Sequence, residues 1–80
     1  MRILDIRRGA GNEIATFDIE LSPHLRMFNM ILRRTEDGRV RSFPPKVKGK
    51  HCASLHPALA EQITAAAKVA LAGARSHDHR

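Results

Sequence analysis

The sequence predicts an α+β fold: a small antiparallel sheet of about four strands followed by one C-terminal helix. Three stretches carry that prediction. Residues 14–21 alternate, with Ala15, Phe17, Ile19 and Leu21 on one side and Thr16, Asp18 and Glu20 on the other. Period two of this kind marks a strand buried on one face. Two further segments are set off by turn chemistry, at Ser22-Pro23-His24 and at Glu36-Asp37-Gly38, as hairpin-linked strands are. After Pro57 the period becomes helical, with Leu59, Ile63, Ala66 and Ala70 in one stripe.

Taken in order, residues 2–8 (RILDIRR) form a first strand through Ile3, Leu4 and Ile6, and Gly9-Ala10-Gly11-Asn12 is a turn. Residues 25–34 (LRMFNMILRR) form a strand with apolar side chains on both faces: Leu25, Met27 and Ile31 against Phe28, Met30 and Leu32. Such a strand needs cover on both sides. One helix covers only one side, so a homodimer is expected. Val40 and Phe43 continue the sheet, and Pro44-Pro45 ends it because neither residue donates to a ladder. Residues 46–50 (KVKGK) read as an open basic loop. The helix should start at Pro57 and run to about Ala74, with Ala67, Leu71 and Ala74 beside its apolar stripe and Glu61, Thr64 and Lys68 facing away. Residues 1–75 then make a single domain, and 76–80 a disordered polar tail.

Eighty residues bury only about 60% of the surface that their unfolded chain exposes, so a domain of this size is marginal without a staple. Cys52 is the sole cysteine, which excludes an intrachain disulfide and suits a cytoplasmic protein. That leaves self-association as the expected support. No apolar run approaches the roughly 20 residues that cross a bilayer, and no signal-like segment opens the sequence. No membrane partner is expected.

The net charge is +6, and its placement says more than its size. Seven of the fourteen Lys and Arg residues fall between positions 33 and 50: Arg33, Arg34, Arg39, Arg41, Lys46, Lys48 and Lys50. Only Glu36 and Asp37 oppose them there. Cations crowded in this way repel one another unless a polyanion or solvent relieves them. Arg39 and Arg41 lie two apart, so on a strand they share a face that Phe43 continues. Arginine bonds phosphate bidentately, and a neighbouring exposed ring stacks a base. Arg33 and Arg34 extend this patch, and the three lysines grip phosphates without reading sequence. The expected function is therefore a small basic nucleic-acid-binding regulatory protein, for DNA or RNA. The alternative is an interaction module that binds an acidic protein. A plainer account is a solvated face that keeps the protein soluble. Residues 9–32 carry Glu13, Asp18 and Glu20 against Arg26 alone, so the sheet should be basic at one end and mildly acidic at the other.

His51, Cys52 and His56 form a compact cluster that His77 and His79 would supplement, yet one thiolate is few for a structural zinc site. They read better as the segment leading into the helix. Cys52 has no orienting acid placed for it, and there is no Gly-rich phosphate loop, no arguable Ser-His-Asp set and no paired inward carboxylates. The reading is a binding protein, not an enzyme, with no cofactor and no metal.

The order of parts resembles the SpoVG (stage V sporulation protein G) septation-regulator family. The matching residues are 14–21, 25–33, Asp37-Gly38, Phe43-Pro44-Pro45-Lys46, Gly49, and His56-Pro57 followed by Ile63. The similarity spans about residues 1–72. It implies a small sheet with a C-terminal helix, dimerisation, and sequence-tolerant DNA or RNA binding in bacterial transcription regulation. Phe43-Pro44-Pro45 stands where that family has a Met-Pro-Ser type sequence.

Overall fold

A computed structural model describes the backbone of residues 1–78 and the side chains of residues 1–73. It has the expected α+β architecture. Strands β1 (Arg2–Arg8), β2 (Glu13–Ser22), β3 (Leu25–Arg34) and β4 (Val40–Phe43) form one antiparallel sheet in the order β1-β2-β3-β4, and helix α1 (Pro57–Asp78) follows it. Each neighbouring pair in this meander is close in sequence, so the loops are short and the chain never crosses the sheet until α1.

The alternation in β2 decides which face is covered. Ala15, Phe17 and Ile19 are fully buried, and with Met30 and Leu32 of β3 they meet Ile63 and Ala67 of α1. Ile3 and Ile6 from β1 and Leu59 and Leu71 from α1 pack at the margins of this cluster. The small Ala67 lets the helix backbone lie close to the sheet. Thr64, expected to face away, is instead buried, and its hydroxyl meets that of Ser42 at 2.8 Å. The two hydroxyls satisfy each other, so neither carries the penalty of a dry, unpaired polar group.

The helix extends past the expected end near Ala74: Gly73 lies inside it, and no proline follows to stop it. Residues 79 and 80 of the expected tail lie outside the described residues. At the other end of α1, His56 caps the helix: its Nδ1 accepts from the Ala58 N–H at 3.1 Å, with Pro57 in the first helical position.

The segment read as an open basic loop is a second, minimal hairpin, formed by β5 (Lys46–Val47) and β6 (Lys50–His51). Lys48 and Gly49 both have positive φ, 53° and 81°. That pair of conformations is the two-residue turn whose twist matches antiparallel strands. The Cys52 N–H donates to the Pro45 carbonyl at 2.8 Å and continues the ribbon.

β3 carries apolar groups on both faces, but a bulge exchanges two of the expected positions: Met27 packs on the core side with Met30 and Leu32, and Phe28 lies on the other face. On the face away from α1, Ile31 stands between Thr16 and Phe43 in register and is only 9% exposed. Phe28 remains 56% exposed and Leu25 50%. Phe28 and Asn29 together oppose the single residue Asp18, which makes a β-bulge. Asn29 takes φ 59°, a conformation that a short polar side chain tolerates. The Asp18 carboxylate accepts its N–H at 2.9 Å and holds the bulge in place.

Candidate nucleic-acid interface

The uncovered face of the sheet is divided in two by charge. At the β1 end, antiparallel pairing sets Asp5 directly opposite Asp18, and Arg7 sits between them, 2.6 Å from Asp5 and 3.2 Å from Asp18. The same guanidinium donates to the Asn29 side-chain carbonyl at 3.2 Å. Glu20 is met by Arg2 at 3.5 Å and Arg26 at 3.3 Å. The end expected to be mildly acidic is therefore neutralised, because β1 brings in two arginines that lie outside residues 9–32.

The Asn29 N–H and, next, Arg7 hold the Asp18 carboxyl below its ordinary 3.8. A group with a lowered folded-state value contributes stability above its unfolded value and loses that contribution as pH falls through the folded one. Acidification from neutral pH to below 3.8 should therefore narrow the melting-temperature gap between the natural protein and Asp18→Asn. Parallel thermal melts across that range check this, and a constant gap would contradict it.

At the other end, positive charges face each other. Arg33 of β3 and Arg41 of β4 are cross-strand partners, and Ile31 and Phe43 are the next pair on the same face. Like charges placed opposite in this way destabilise a sheet by a few tenths to about 1 kcal/mol. Arg41 finds partial relief in Asp37 at 3.5 Å, and Arg39 lies 3.8 Å from the same carboxylate. Asp37 also accepts from the Thr35 hydroxyl and from the Arg39 N–H, which hold its carboxyl below the ordinary range and tie it to the turn.

Phe43 is not a free stacking platform. The Arg33 guanidinium carbon lies 5.5 Å from its ring centre, and the His51 ring lies 5.6 Å away and 16° from parallel. His51 donates from Nδ1 to the Pro44 carbonyl at 2.8 Å, since a carbonyl can only accept. That bond fixes the imidazole plane of an exposed ring. Sequence reading assigned His51 no part here, because the stack depends on the β5–β6 hairpin folding back toward β4.

The structure thus brings Arg33, Arg41, Phe43 and His51 together, with Lys46 opposite His51 on the small ribbon. Arg39 adjoins them at the turn, and Lys48 marks the hairpin tip. Lys50 pairs with Val47 and so occupies the ribbon's other side. Arg34 stands opposite Val40, in the register of the helix-covered face, and does not join the Arg33–Arg41 row. Among the described residues no cluster of three or more His, Cys, Asp or Glu is placed to hold a metal ion. His51 and His56 are each engaged with backbone, Cys52 is exposed, and the side chains of His77 and His79 lie outside the described residues. No helix among the described residues is long and apolar enough to cross a membrane.

Architecture and charge define a class here: a one-helix, four-stranded antiparallel α+β domain with a cationic end on its open sheet face. Comparison with known proteins found no matching family model, no matching curated protein and no matching solved structure.

Proposed function

We propose that this chain is a small basic nucleic-acid-binding regulatory protein that contacts phosphates through the β3–β4 hairpin and the β5–β6 ribbon. One observation carries the proposal: Arg33 and Arg41 stand opposite each other on an uncovered sheet face, beside a fixed stack of Phe43 and His51. The repulsion within that pair is only partly offset, by Asp37 beside Arg41 and by Glu13 and Phe43 beside Arg33. A phosphate chain laid over the pair removes the repulsion and releases counterions. Arg33, Arg41 and Lys46 are the central phosphate contacts in this reading. Arg39, Lys48 and Lys50 engage the flanking backbone, and the outer face of His51 stacks a base in place of the enclosed Phe43. Arg34 extends the footprint only where the nucleic acid bends round the end of β3.

The resemblance to the SpoVG family supports the same reading, and with it a bacterial, cytoplasmic homodimer that acts in transcription regulation. The exposed Phe28 and Leu25 offer apolar surface for such a dimer.

Titration of random-sequence duplex DNA against salt tests the proposal. Each phosphate contact contributes about 0.9 to the slope of log affinity against log salt. Arg39→Ala/Arg41→Ala/Lys48→Ala should therefore flatten the slope by roughly 2.7. An unchanged slope removes these residues from the interface.

A further inference from the structure

We infer that the outer edge of β4 is a docking site for an extended acidic peptide, which adds to the sheet as a fifth strand and sets alternate side chains into a groove beside α1. This goes beyond the nucleic-acid reading and does not depend on it.

The backbone supplies the first argument. β4 is the last strand of its sheet, with no neighbour on its outer side among the described residues. The Thr35 N–H donates to the Arg39 carbonyl at 2.8 Å, so Arg39 directs its backbone toward β3. Alternation then points the backbone of Arg41 and Phe43 the same way, and turns the N–H and C=O of Val40 and Ser42 outward. Two donors and two acceptors thus lie in strand geometry, those of Val40 half-buried and those of Ser42, only 5% exposed, set down within the groove. The opposite edge is blunted: β1 is bulged at Leu4 and fringed by Arg2, Asp5 and Arg7.

The second argument is the space beneath that edge. A groove of about 620 Å³ runs between β4 and α1. It is lined by Ser42, Leu55, Ala60, Thr64 and Ala65, whose small or apolar side chains leave room between helix and sheet. A strand paired to β4 would send every second side chain into this groove and the others over the open face. Strand addition of this kind takes its affinity from main-chain bonds and its specificity from such alternate pockets.

Charge selects the occupant. Lys68 and Glu61 stand on the helix side of the groove and Arg39 and Arg41 on its strand side, where Asp37, 3.8 Å and 3.5 Å from them, offsets part of their charge and leaves the rim net positive. The side chains of Arg39 and Arg41 are 74% and 52% exposed, on the face where the added strand's other residues would lie. A second copy pairing β4 to β4 would set these arginines against their own equivalents, which the repulsion between opposite like charges disfavours. A nucleic acid has no comb of alternating N–H and C=O groups to match Val40 and Ser42. An extended polypeptide with acidic residues at alternate positions matches both the comb and the charge.

The test uses a blocked synthetic octapeptide of alternating glutamate and valine, with the full-length chain labelled for amide-resolved NMR. On adding the peptide, the Val40 and Ser42 amides should gain protection from hydrogen exchange. N-methylating the peptide at one alternate set of nitrogens should weaken binding about tenfold or more, because two main-chain bonds are lost, while methylating the other set should leave affinity within about threefold. Ala65→Trp fills the groove from an exposed helix position and should likewise weaken binding about tenfold with the fold intact. A lysine–valine peptide should bind no better than the tryptophan variant binds the acidic one. Equal sensitivity to both methylation registers would reduce the interaction to charge alone and overturn the inference. Protection of Val40 and Ser42 by single-stranded DNA but not by the peptide would overturn it too.

Discussion

Arg33→Thr/Arg41→Thr should lose roughly fifty-fold in affinity for random duplex DNA at about 0.1 M salt and keep its melting temperature nearly unchanged. The binding loss follows from counterion release, in which one phosphate contact is worth about eightfold at that ionic strength. The stability expectation is a balance of small terms. Removing the facing arginines relieves a repulsion of up to about 1 kcal/mol. It also forfeits the 3.5 Å pairing of Arg41 with Asp37, whose partners are both half-exposed and therefore well screened, the Arg33 guanidinium over Phe43, and the cross-strand placement of Arg33 opposite Glu13. These terms offset each other to within about 1 kcal/mol, and threonine suits a strand. Arg2→Thr/Arg26→Thr is the matched control. It deletes the same charge from the neutral end, where both arginines already serve Glu20. It should leave the salt slope almost unaltered and leave Glu20 unpaired. If both double variants weaken DNA binding alike, net charge governs binding and the Arg33–Arg41 row has no special part. A melting temperature that drops with Arg33→Thr/Arg41→Thr while DNA affinity holds would make the row structural.

The separation between those two ends was only half legible in the sequence. Period two in residues 14–21 assigns Phe17 to one face and Asp18 to the other without any tertiary knowledge, and Arg39, Arg41 and Phe43 share a face for the same reason. What periodicity does not carry is cross-strand register. Arg7 neutralises Asp5 and Asp18 because β1 runs back along β2, and a charge count over consecutive residues misses it. Two-residue strands escape for a simpler reason: β5 and β6 are too short to show alternation, and the only signal was the Lys48-Gly49 pair at the turn. Thr64 was misplaced because a hydroxyl on a helix looks solvent-facing until its partner Ser42, 22 residues away, is known. His51 was hidden by the same missed hairpin. The elements were therefore readable from local pattern. The detailed composition of the cationic face depends on contacts between elements.

Gly9→Ala should destabilise the protein by about 2–3 kcal/mol, the largest effect expected of any single conservative change here. At the β1–β2 turn the Gly9 N–H donates to the Ile14 carbonyl at 2.9 Å, and the chain doubles back so tightly that a Cβ on Gly9 would run into the carbonyl of Glu13. The obstacle is backbone, so no rotamer change relieves it. The turn must open, which strains the Gly9–Ile14 bond and the register that sets Arg7 between Asp5 and Asp18. For a domain of this length the loss corresponds to roughly 10–20 °C in melting temperature. Gly38 is the informative comparison. It has φ +82° with open space around it, so it needs glycine for conformation and not for room. Asparagine reaches that conformation at small cost. Gly38→Asn should melt within a few degrees of the natural protein, whereas Gly9→Asn should fail as badly as Gly9→Ala. Thermal melts of the three variants decide the matter. If Gly9→Ala proves as mild as Gly38→Asn, the close approach at the first turn is not a feature of the folded protein, and the pairing of β1 that neutralises one end of the sheet loses its structural basis.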